Sequence, residues 1–266
     1  MRRSFLLFLL LSLPPLLSAH EFWLHPNKFI YQWGERINVK LLVGENYEGE
    51  LWSGDNSSIE SLQLHLLDAT DDLSSQIDTA KGDSLQFSIY DEGTYMVTYQ
   101  SKNKFIELAP AKFHEYLKED GLFNALEYRN SHNENDSNGR EHYQRSVKTL
   151  FQVGTKTTKL YKKETKLPLD IIPLQNPYDL KRNTEGTLSF KVLFQKKPLP
   201  NQLIKIWNRI GATTTKIELT TDANGLINFP LQPTGRWMVS TVKMERVNEE
   251  GVDWQSYWGS CTFGYD

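Results

Sequence analysis

Four histidines, His20, His25, His114 and His142, carry the sharpest chemistry in this 266-residue sequence. Imidazole nitrogen is a good ligand for nickel, cobalt, copper and zinc. His20 stands apart because of the residues before it. If the chain is cut between Ala19 and His20, the new α-amine and the imidazole belong to one residue. Those two nitrogens together chelate copper(II) or nickel(II), which accept tetragonal nitrogen donors. The competing reading is that His20 only pairs with a nearby carboxylate. A further ring must come from elsewhere, with His25, His114 and His142 as candidates. Each of these also has a structural reading. In an extended segment the His25 ring points to the face opposite that of His20, unless Pro26 redirects the chain. His114 follows Phe113 on the apolar side of a helix, where it can satisfy a backbone carbonyl. His142 lies between Glu141 and Tyr143 and reads equally well as an exposed helix residue.

Residues 1–19 are what suggest the cut. Arg2 and Arg3 precede a run of Phe, Leu and Ser too short to span a bilayer, Pro14 and Pro15 break it, and Ser18 and Ala19 are small. That is the shape of a secretory signal peptide, so the expected address is the periplasm. Position 20 is not cysteine, and lipid attachment is not expected. Removal of the leader leaves 247 residues with 28 basic against 33 acidic. No basic face points to nucleic acid. No second apolar run approaches membrane-spanning length, so no span is expected after signal removal. A hydrophobic content of 39% with 24% charged residues describes a globular chain. Cys261 has no cysteine to pair with; it reads as a small core residue on a strand, with a reactive thiol as the alternative.

No enzyme motif is present: no His-Glu-x-x-His, no Gly-x-Ser-x-Gly, no phosphate-cradling glycine loop. The expectation is therefore a protein without catalysis and with no cofactor beyond a divalent transition metal. The acidic run Gly44–Glu50 with Asp55 does not have EF-hand spacing and reads as solvated loop. Trp52, Trp254 and Trp258 either line a carbohydrate or protein contact or fill a core.

The elements that must position these residues are mostly strands. Segments 28–31, 36–43, 62–67, 84–90 and 95–99 alternate or carry branched and aromatic residues between turn signals. On 62–67 the leucines share a face, which puts His65 on the outward one. A helical insertion is expected near 110–150: Pro110 opens it, Phe113, Tyr116 and Leu117 recur at helical spacing, and Asp120-Gly121 gives a stop. Leu122, Leu126 and Arg129 continue in a second short helix, and Tyr143, Val147 and Leu150 share a side after a polar loop. Pro168, Pro173 and Pro177 mark 166–180 as an extended connector. Strand signals return at 187–194, 202–210, 226–229, 237–242 and 257–263. The expected fold class is mainly β, with two β-sandwich domains. The first covers 20–165 with the helical insertion, and the second covers 181–266.

The sequence also resembles a known family. His20-Glu21-Phe22-Trp23-Leu24-His25-Pro26, the segment Arg140–Leu150 running to Gly154, and Leu167-Pro168-Leu169-Asp170-Ile171-Ile172-Pro173-Leu174 are similar to DUF4198 proteins of bacterial export. So are Thr221-Asp222 through Gly225, Gly235-x-Trp237 and Trp254–Trp258, in the same order. The resemblance implies a periplasmic component of nickel or cobalt uptake, partnered by a membrane permease or outer-membrane receptor. It also implies a transthyretin-like or carboxypeptidase-regulatory sandwich at the C-terminus, in which Asp-x-Asn-Gly is a structural turn. One departure stands out. Where many members carry His-Met after the Gly-x-Trp strand, this chain has Lys243-Met244, and an ammonium is a poor ligand at neutral pH. The expected function is binding or delivery of nickel, cobalt or copper to an uptake system. The alternatives are a non-catalytic structural or protein/carbohydrate-interaction module of the envelope, and, further off, a copper oxidase built on His20.

Overall fold

Alternating apolar residues become strands through most of the chain. The computed structural model describes residues 21–77, 84–179 and 186–265; the leader and His20 lie outside the described residues. The first strands are β1 (Glu21–Pro26), β2 (Ile30–Tyr31), β3 (Arg36–Glu45), β4 (Glu48–Leu51) and β5 (Ile59–His65). They are followed by β6 (Thr70–Asp72), β7 (Ser84–Ser88), β8 (Gly93–Ser101) and β9 (Lys104–Leu108). Two helices come next, α1 (Pro110–Glu119) and α2 (Phe123–Ser131), and then a long strand β10 (Gly139–Val153). The rest is β11 (Leu169–Pro173), β12 (Thr187–Phe194), β13 (Lys197–Pro198), β14 (Leu203–Ile210), β15 (Thr213–Thr220), β16 (Leu226–Pro230), β17 (Arg236–Glu249) and β18 (Val252–Gly264).

The fold is mainly β and is organised by one ten-stranded sheet, ordered β15-β14-β17-β18-β10-β8-β5-β6, with β2 and β9 also paired to β10. Its central joint is the parallel pairing of β10 with β18, Glu141 opposite Trp254 through Thr149 opposite Thr262. Strands from both halves of the sequence thus share one sheet. On one face lies the sheet of β1, β3, β4 and β7, packed through Phe22, Leu24, Val39, Tyr99, Val147 and Phe151. On the other lies the sheet of β11, β12, β13 and β16, packed through Leu169, Phe190, Ile204, Val239, Cys261 and Phe263. Adjacent residues of a strand serve opposite faces: Val239 and Cys261 join the second core, while Met238 packs with Trp23, Tyr47 and Trp207. Each fully buried Phe or Leu in these layers is worth about 1.5–3 kcal/mol relative to exposure, and with a single cysteine the chain relies on that packing.

The helices cover the β1 side of the long sheet. Pro110 occupies the first helical turn of α1, where its missing N–H costs nothing. Phe113, Tyr116 and Leu117 then bury against Val242, Met244 and Trp254. Gly121, in the left-handed region at φ 66°, ends the helix. Among the described residues no helix is long and apolar enough to cross a membrane.

Three sequence expectations need correction. The helical stretch ends at Ser131, and residues 139–153 are a strand. That strand has neighbours on both edges and is buried on both faces toward its C-terminal end, so the spacing of Tyr143, Val147 and Leu150 marks no helix face. The proline-rich stretch 166–180 is more than an extended connector: all five residues of β11 are buried and paired with β12. His65 does not face solvent; it is 4% exposed because the sheet is covered on the side it points to. Cys261 is buried on β18, as a small core residue.

Candidate functional site

A group of perturbed titratable side chains lies in the seam between β1 and α1, on the face of the long sheet that both cover. Glu21 opens β1, Asp120 follows the last residue of α1, and Lys205 projects from β14. The Lys205 ammonium donates to Asp120 Oδ1 at 2.7 Å and lies 4.0 Å from Glu21 Oε1. Phe22, Val242, Trp258 and Ser260 close an inner space of about 10 Å³ beside them, room for one water-sized guest. The same three charged residues also line an open cleft of about 680 Å³ walled by Glu45, Lys112, Glu115 and Trp207.

Burial dominates the electrostatics. It pushes the Glu21 carboxyl up to about 7, with Lys205 opposing and Asp120 adding to the rise. Burial raises the Asp120 carboxyl as well, against the pull of Lys205. For Lys205 burial works against the charge, yet Asp120 and Glu21 outweigh it and hold the ammonium above the ordinary lysine range. Two carboxylates therefore share one fixed cation, and a proton on Glu21 near neutrality sets the net charge.

A second acid lies behind this group. Glu141, 2% exposed on β10, accepts hydrogen bonds through Oε1 from the Ser256 hydroxyl and from the Tyr116 hydroxyl at 3.2 Å. Trp258 Nε1 donates to Ser256 Oγ at 3.0 Å and its ring stacks on Tyr116. Burial drives Glu141 up to about 7, with Ser256 and Tyr116 pulling the other way. Neither Glu21 nor Glu141 stands out in the sequence, because each looks like an ordinary strand carboxylate until its neighbours are known.

The described members of the expected histidine set, His25, His114 and His142, do not form one metal-holding group. Among the described residues no group of three or more His, Cys, Asp or Glu side chains is placed to hold a metal ion. His25 Nε2 accepts from the Arg236 guanidinium at 3.1 Å, and burial, with Arg236 and Lys40, holds its imidazole down at about 4. Its lone pair is already engaged. His114 is half-buried on α1. His142 sits on a strand rather than a helix, edge-on to Phe105, with Nδ1 3.6 Å from Glu249. His20, the proposed chelator, lies outside the described residues; chain connectivity puts it one peptide bond before Glu21. Trp52 and Trp254 are core residues, 5% and 1% exposed.

The sequence pattern of the family described as "Domain of unknown function (DUF4198)" matches residues 17–245. The chain belongs to the DUF4198 family. No curated protein matches it. Among solved structures, the native conformation of E. coli alpha-2-macroglobulin is similar over 95% of this chain and 14% of its own, at 10% identity and a TM-score of 0.22. The DUF4198 chain thus spans about one seventh of that protein's length. Within this DUF4198 member, Lys243 lies half-buried on β17 and Met244 is buried in the helix-covered core.

Proposed function

We propose that this protein binds a divalent transition metal, nickel, cobalt or copper, after export to the periplasm, and delivers it to a membrane uptake system without catalysis. The observation that carries this reading is the place of Glu21. It is desolvated, faces Asp120 across Lys205, and immediately follows His20. Cleavage after Ala19 gives the residue next to Glu21 both an α-amine and an imidazole, and Glu21 and Asp120 line one pocket. The described residues alone do not complete a site, so His20 supplies the nitrogen donors and Glu21 and Asp120 supply charge compensation. The engaged lone pair of His25 argues against a role for that ring, and Lys243 supplies no donor. The two cores on opposite faces of the long sheet support a further reading: an N-terminal sandwich over 20–165 and a transthyretin-like one over 181–266, joined through β10 and β18.

The test is a titration of protein secreted with its native amino terminus, followed by competition with a chromophoric chelator. Nickel or copper binds wild type, and His20→Ala or a single glycine added before His20 removes the binding. Equal affinity in all three proteins overturns the reading.

A further inference from the structure

The two ends of the ten-stranded sheet are treated differently. At one end β6 is three residues long and carries two aspartates, the short charged edge that discourages further pairing. At the other end β15 runs for eight residues, Thr-Thr-Thr-Lys-Ile-Glu-Leu-Thr, and pairs with β14 along its whole length without a bulge. It contains no proline or glycine, and threonine and isoleucine favour strands. Its one lysine is neutralised within the strand, where Lys216 Nζ lies 2.7 Å from Glu218 Oε1 and 5.3 Å from the Trp207 ring centroid. Ile217 is 43% exposed. Among the described residues the outer edge of β15 pairs with no strand.

We propose that β15 is a dimerisation edge, on which a second copy of this chain pairs antiparallel about a twofold axis midway between Ile217 and its counterpart. The register follows from geometry. Directly opposed residues must lie on the same face of the combined sheet, so a twofold axis normal to that sheet sets one residue opposite its own counterpart, and charge chooses which residue that is. Centred on Ile217, it places Lys216 opposite the second copy's Glu218, and Glu218 opposite the second copy's Lys216. Ile217 then meets its own counterpart, and Thr215 meets Leu219. Opposite charges and paired apolar residues at facing positions are the stabilising cross-strand combinations, and the contact is isologous, so it closes at two copies. Lys216 and Glu218 also line the cleft of Glu21, Asp120 and Lys205. The dimer sets two such clefts side by side, each with the other copy's charged pair along its wall.

The inference rests on the sheet edge and not on the metal reading, and its test uses metal-free protein in a chelator. Analytical ultracentrifugation over a concentration series shows wild type passing from monomer to dimer. Lys216→Glu puts glutamates opposite one another twice, Glu218→Lys does the same with lysines, and each weakens dimerisation at least tenfold while far-UV circular dichroism stays unchanged. Mixing the two variants restores complementary pairs, and a heterodimer forms as tightly as the wild-type dimer. A wild type that stays monomeric throughout overturns the proposal. So do single variants that dimerise normally, or a mixture that does not recover.

Discussion

Lys148 on β10 and Asp170 on β11 form an ion pair sealed between two sheets, with 1% and 4% of their side chains exposed. Asp170 Oδ2 also accepts from the Thr165 backbone N–H at 2.7 Å, tying the segment before β11 to the same carboxylate. The pair joins the long sheet to the layer beneath it.

Breaking that pair from one side leaves a charge buried without its counter-ion. Asp170→Ala is expected to destabilise the fold by about 3–5 kcal/mol, because the remaining ammonium has no water to solvate it. Replacing both partners, as Lys148→Met with Asp170→Leu, is expected to recover most of the loss. Urea denaturation midpoints of the single and double variants check this. A double variant no more stable than the single one argues against the ion pair as the cause.

Stability against pH is set by groups that pull in opposite directions. Burial holds Glu141 at about 7 against an ordinary 4.5, with Ser256 and Tyr116 opposing. The folded chain then keeps a proton that the unfolded chain has released, so this stabilising contribution is complete below 4.5 and lost as pH rises through 7. Burial, with Lys163 and Lys148, holds His65 at about 4 against an ordinary 6.5. Here the unfolded chain protonates first, and the contribution is complete above 6.5 and lost as pH falls toward 4. Between the two the slopes cancel. Glu141→Gln is expected to make stability rise through that window by about 1.4 kcal/mol per pH unit relative to wild type, and His65→Gln to make it fall by a similar amount. Melting curves at closely spaced pH values read both. Parallel curves for all three proteins contradict the assignment.

Both cases show where sequence reasoning reaches and where it stops. Period-two alternation gives β12 over Thr187–Phe194 with the same bounds as the structure, and Pro110 with Asp120-Gly121 brackets α1. Local chemistry decides those elements. β15 escapes notice because an exposed edge strand needs no apolar alternation, and its threonines carry none. His65 misleads and Glu141 gives no signal, because burial in this sheet depends on strands joined in parallel across more than a hundred residues of sequence, which no local pattern reports. The Glu21–Asp120–Lys205 group is hidden for the same reason: three elements distant in sequence meet only through β14 and β1.

Cys261 is expected to be chemically silent in the native state. It is fully buried among Phe190, Val239 and Phe263, and burial pushes its thiol up to about 12. With almost no thiolate at neutral pH and no access for reagent, a disulfide-exchange dye finds nothing to attack. Reaction is expected only at the rate of unfolding, and full stoichiometry only in denaturant. Rapid labelling of folded protein contradicts this placement.

The ammonium of Lys205 is the natural rival of any cation at the Glu21–Asp120 pair, since it already lies 2.7 Å from Asp120 and 4.0 Å from Glu21. Lys205→Met removes that rival and leaves both carboxylates seeking a positive partner. In protein with the native amino terminus, nickel or copper affinity is expected to rise about tenfold, equivalent to about 1.4 kcal/mol. Asp120→Asn is expected to lower it, because the pocket then compensates less of the ion's charge. Both variants are measured by chelator competition over a series of alkaline pH values, because loss of Lys205 lets burial raise the Glu21 carboxyl further, with melting temperatures confirming the fold. If neither changes affinity while His20→Ala abolishes it, the ion is held by the amino terminus alone and the carboxylates serve only the packing of β1 against α1.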